Sequence, residues 1–258
     1  MKTWVCLVCF SVLLGLSGCA SVPRPNLATT DTVSVAAPSY AAWNRVLQKF
    51  VDDQGRVNFA ALAQDRTDLD QFVSYIYDVG PNNQPQLFPA RADVLAYHIN
   101  AYNALAMYKV LATGIPDTLA GAKKISFFAF GKVQVGGQPI SLYDYENKVI
   151  RPLGDARVHM ALNCMSVSCP RLPKTAFVGA LLAQQLQQET ESFLSEARNL
   201  SVDGQRLLLS EIFKLYLDDF LREAPSLPAW INRYRKAPLP DHLAIEFTPY
   251  NWAINRQP

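Results

Sequence analysis

The chain has 258 residues, half of them apolar and 18% charged, with 24 Lys and Arg against 22 Asp and Glu and a net charge of +2. That apolar fraction supports one sizeable core or two small ones, and excludes a disordered chain, a collagen-like repeat and a disulfide-dense miniprotein. The near-zero charge gives no electrostatic footprint for nucleic acid.

Lys2 is the only charged side chain in the first 23 residues, and Val5 to Leu16 is largely apolar but too short for a comfortable membrane span. A charged start, a short apolar stretch and small residues after it form a secretory signal. Leu16-Ser17-Gly18-Cys19 resembles the bacterial lipobox. That resemblance implies a signal peptide over 1–18, a lipid such as palmitate on Cys19, and attachment to the membrane through it. Ala20 after the cysteine, where Asp would imply inner-membrane retention, points to the outer membrane of a Gram-negative-type envelope. A plain secretory signal cut after Ala20 is the alternative. Residues 19–39 are rich in Ser, Thr, Ala, Val and Pro and read as a flexible tether. Of five cysteines the mature chain keeps Cys19, Cys164 and Cys169.

Ser39 is the expected cap of a helix to about Val51, with Trp43, Val46, Leu47 and Phe50 on one face. Thr67 and Asp70 suggest a capping-box variant before the next helix. Between Asp93 and Lys109 no charged residue falls, so Ala92–Thr113 reads as a helix buried on all sides, holding Asn100 and Asn103. Gly136-Gly137 and Asp203-Gly204 mark hairpins. Arg157–Asn163 alternates weakly and reads as a strand. Phe177–Ala197 reads as a helix with a glutamine-rich outer face, Ser210 opens a short helix, and Ile245-Glu246-Phe247 forms a late strand. Helices and hairpins without regular β-α-β alternation predict an α+β fold. One domain is expected over 40–258.

Several segments in order resemble DUF547, a domain family of unknown function. They are Ile99–Leu105, Ser141–Glu146, Arg157–Cys164, Ser168-Cys169-Pro170, Ile212-Phe213 through Tyr216, Asp219 and Phe220, and Pro249–Trp252. The resemblance runs from about Trp43 to Asn255 and brings no settled activity. It also implies a distant likeness to papain- and transglutaminase-type folds. Two positions depart from the family pattern: His98 stands where Trp is common, and Asn147 where many members have His beside Glu146.

Chemistry concentrates at His159, Cys164 and Cys169. In one reading a thiol pairs with His159, which takes its proton, and Glu146 or Asn163 orients the ring. A strand would place His159 and Cys164 on opposite faces, so this needs a turn between them. In the second reading Cys164 and Cys169 close a disulfide; in the third they are reduced structural thiols. The spacings match no usual zinc pattern, and no metal or cofactor is expected. Asn100 and Asn103 either bond to neighbouring backbone or, with Tyr102, floor a ligand pocket. Asp144 and Glu146 are expected to pair with Arg151 or Arg157, or to face solvent. Two functions stay open. One is a non-catalytic binding or scaffold module for an unknown protein or envelope ligand. The other is a Cys/His-dependent hydrolase or acyl transferase acting on envelope material.

Overall fold

The structure, a computed structural model, describes residues 21–25, 39–240 and 242–258. The expected signal peptide, Cys19 and most of the expected tether lie outside the described residues.

The apolar stripe read from the sequence buries Trp43, Val46, Leu47 and Phe50 on α1 (Ala41–Phe50). Ser39 does not cap it: Tyr40 takes the cap position, and Ser39 Oγ accepts only a long 3.5 Å bond from the Ala41 N–H. Asn58 caps α2 (Phe59–Gln64) by accepting the Ala61 N–H. The capping box expected before α3 (Thr67–Asp78) does not form, because Asp70 turns back onto the Arg66 guanidinium at 3.0 Å. Trp43 stacks on Phe72, joining α1 to α3.

The central element is α4 (Arg91–Ala112), buried without interruption from Leu95 to Leu111. Such a helix has no wet face, so its polar groups need internal partners. Asn100 takes the backbone N–H and C=O of Phe177 at 2.9 and 2.7 Å. Asn103 takes the Ala161 C=O and the Asn163 N–H at 3.0 and 2.7 Å. Lys109 donates to the carbonyls of Phe127 and Gly131. Those carbonyls end a segment in which α5 (Ala122–Ile125) passes into a π turn, Ser126–Phe130.

The first hairpin pairs β1 (Lys132–Val135) with β2 (Gln138–Ser141). Its two turn residues, Gly136 and Gly137, have φ of +55° and +78°, which suits glycine. Ser141 caps α6 (Leu142–Asp144), and the chain continues as π turns over Tyr145–Ile150. The strand expected at Arg157–Asn163 is instead a 3-10 helix, Ala156–Met160. Asp155 accepts the Arg157 N–H and grips its guanidinium, which fixes a turn where alternation suggested extension.

Helix α7 (Leu182–Ser195) starts later than expected, since Asn100 holds the Phe177 backbone groups. The second hairpin is β3 (Leu200–Asp203) with β4 (Arg206–Ser210). Short helices α8 (Ile212–Leu215), α9 (Leu217–Glu223) and α10 (Leu227–Ile231) follow. The late strand β5 (Ala244–Thr248) then pairs in parallel with β4. The result is a mixed α+β architecture, helices around two small sheets. It has two apolar clusters, a larger one around α4 and a smaller one around Phe213, Phe220 and Trp230. Among the described residues no helix is long and apolar enough to cross a membrane.

Part of the expected tether is bound. The Val22 N–H bonds the Lys132 carbonyl at 2.8 Å, and the hydroxyls of Tyr77 and Tyr108 each donate at 2.9 Å to the carbonyls of Val22 and Pro23. Arg24 pairs with Asp78. Two phenols and a carboxylate thus hold Ser21–Pro25 against α3, α4 and β1.

Candidate functional site

A 3-10 turn takes the place of the strand that would have put His159 and Cys164 on opposite faces. His159, Cys164 and Cys169 line one pocket of about 300 Å³, together with Tyr102 and Glu146. Its rim takes Tyr250 and Trp252 from the C-terminal segment, and Lys124 and Phe128 from the α5 segment.

The loop carrying the thiols is pinned by Asn163. Its amide donates to the Pro170 carbonyl and accepts the Met165 N–H, each at 2.7 Å, closing the loop on itself. Its own N–H is held by Asn103 of α4. Met165 sits at φ +70°, a left-handed turn that brings the two cysteines face to face. Both are free thiols with sulfurs 2.8 Å apart, so the bridge considered from the sequence is not formed in this structure.

Cys169 Sγ is the focus of donors. It receives the Cys164 N–H at 3.1 Å, and lies 3.2 Å from the Tyr250 hydroxyl and 3.4 Å from the Ser166 hydroxyl. Burial pushes this thiol up, but the donors from Cys164, Ser166 and Tyr250 outweigh it and bring the pKa down to about 6. Cys164 moves the other way, raised by burial and by the ionised sulfur beside it. The two shifts run in opposite directions, so the charged form is favoured at Cys169 over Cys164.

His159 is buried, with Nε2 2.7 Å from Asp219 Oδ2. Tyr216 stacks on the imidazole with ring centroids 3.8 Å apart. Asp219 also binds Arg151 at 2.7 and 2.9 Å, and Arg222. Burial raises this carboxyl, but His159 and Arg151 override that and hold it well below the usual carboxylate range. A carboxylate at Nε2 fixes the proton there and leaves Nδ1 as the acceptor. That Nδ1 is buried and has no hydrogen-bond partner.

Other expected residues are placed differently. Glu146 accepts the Tyr102 hydroxyl at 3.0 Å and does not orient His159; nor does Asn163. Asn100 and Asn103 are not on the pocket; they anchor the backbone of Phe177, Ala161 and Asn163. Asp144 pairs with Lys148, and Arg157 with Asp155. Asn147, the departure from the family pattern, does stand on the pocket wall, where its carbonyl accepts from Arg151 at 2.5 Å. His98 sits away from the pocket, 2.8 Å from the Tyr145 hydroxyl, and burial lowers its pKa to about 4, so it is a neutral core histidine. Asp219, Tyr216 and Tyr250 were given no role from the sequence. An acid at the start of a short helix reads first as a complement to the helix dipole.

Residues 87–194 match a family model described as "Protein of unknown function, DUF547". The matched stretch holds Tyr102, Glu146, His159 and both cysteines, while Asp219, Tyr216 and Tyr250 lie beyond it. No curated protein and no solved structure matches the chain.

Proposed function

We propose, from the premise that this chain carries a DUF547 domain over residues 87–194, that it is a lipid-anchored envelope protein whose pocket is a thiol-dependent acyl-transfer or hydrolysis site. The observation that carries the reading is the convergence of a Cys169 ringed by donors and an Asp219-held His159 on one pocket. A purely structural staple needs no such surroundings.

The division of labour follows from the hydrogen bonds. Cys169 is ionised by its own donors, with no help from His159, whose Nδ1 bonds neither sulfur. The thiolate attacks an acyl carbon entering the pocket, and an S–C bond forms. The bond to the leaving oxygen or nitrogen breaks, and that atom takes a proton from His159 when the ring is protonated. The neutral imidazole then takes a proton from the water or acceptor that cleaves the thioester, and Cys169 leaves again as thiolate. Asp219 stabilises the imidazolium, and Arg151 and Arg222 hold Asp219 in place. Cys164 and Tyr250 keep the resting charge on Cys169. The binding-module reading draws on the closeness of the sulfurs, which suits oxidation in an exported compartment.

The test is acylation of the reduced protein with a chromogenic ester, followed by peptide mapping. The expected result is an adduct on Cys169 that disappears in Cys169→Ala. Its turnover falls about 10²- to 10⁴-fold in His159→Ala. No adduct on either thiol, together with a quantitative Cys164–Cys169 bridge in the exported chain, overturns the enzymatic reading and leaves the binding module.

A further inference from the structure

Ser21 follows Cys19 by two residues. Two residues of extended chain reach at most about 7 Å. Ser21 and Val22 line a cavity of about 560 Å³ together with Lys123, Ser126, Phe127 and Gly131. A lipid on Cys19 therefore starts within that reach of Ser21, not at the end of a long tether. The bonded Ser21–Pro25 segment fixes which face of the domain meets the bilayer.

That face has a fitting surface. Ile125 and Phe130 are 56% and 58% exposed, two large apolar side chains on one short segment. Lys123 and Lys132 are exposed on the same segment. From Thr118 to Tyr143 the sequence has no Asp or Glu. Exposed apolar side chains and cations on one segment suit a phospholipid surface with anionic headgroups. The segment is held rigidly from below, since the buried Lys109 clamps the carbonyls of Phe127 and Gly131.

We propose that Ala122–Lys132 is the membrane-resting face, with Ile125 and Phe130 among the headgroups and Lys123 and Lys132 bound to their phosphates. The proposal rests on the lipid anchor at Cys19 for its orientation, but makes its own contact with the bilayer.

The full chain, purified from membranes, is reconstituted on phosphatidylethanolamine–phosphatidylglycerol vesicles with brominated acyl chains. Phe130→Trp serves as reporter and Ile125→Trp as a second one, each checked against the parent by thermal melting. The same samples are sedimented, and the N-terminal peptide is weighed for acylation. The expected result is acylated, sedimenting protein that loses about half or more of the added Trp emission. Acylated, sedimenting protein with unquenched reporters at both positions overturns the resting face and leaves the anchor standing. Quenched, sedimenting protein without acyl mass overturns the anchor and supports the face. Protein that stays in the supernatant overturns both.

Discussion

At Cys169 three donors converge on the sulfur and favour its ionised form. Alkylation with iodoacetamide is expected to show a half-maximal rate near the pKa of about 6, and to slow as pH falls through it. An ordinary thiol reaches half-maximum near pH ~8.5. Tyr250→Phe removes one donor and is expected to move the midpoint up by about one unit. Asp219→Asn keeps the shape but withdraws the charge that fixes His159, so turnover of the acyl adduct is expected to fall about 10²- to 10⁴-fold with little change in alkylation rate. Equal losses in both assays would mean that His159 generates the thiolate after all. The thiols and His159 were legible in the sequence because they fall within eleven residues of one another. Asp219 and Tyr250 were not: they join the site from 60 and 81 residues away, through contacts that only the folded chain creates.

Among the elements, α4 was the most legible and the 3-10 turn before the thiols the least. A long charge-free stretch has few fates other than burial. Val158, Met160 and Leu162 alternate as a strand does, yet Asp155 captures the first turn and wins locally. The same region shows what buried amides do. Asn103 ties α4 to Ala161 and Asn163, and so to the thiol loop. Asn103→Ala leaves a buried carbonyl and a buried N–H without partners, and is expected to cost about 2–4 kcal/mol, read by chemical denaturation. Lys109→Met removes the clamp on the α5 segment. The expected outcome is a loss of about 1–3 kcal/mol and faster amide exchange confined to 122–131.

For the molecule as a whole, mixed helices and hairpins made the α+β class readable. The parallel pairing of β5 with β4 was not, because α8, α9 and α10 separate them. The tether was half legible: its composition suits a linker, but Tyr77 and Tyr108 supply donors to its carbonyls that composition does not reveal. The anchor itself is tested by metabolic labelling with palmitate. Label is expected on the parent chain and not on Cys19→Ala; label retained on that variant refutes the proposed attachment point.

The α5 segment is a single wall with two sides. Ile125 and Phe130 point outward, while Lys124 and Phe128 line the thiol pocket, and Lys124 packs over Trp252 at its rim. Pressure on one side is felt on the other. If the outer side lies on lipid, one short segment borders both the bilayer and the pocket. The pocket's concentration of reactants is then counted per area and not per volume, and the shape of its mouth becomes a property of the surface on which the protein stands.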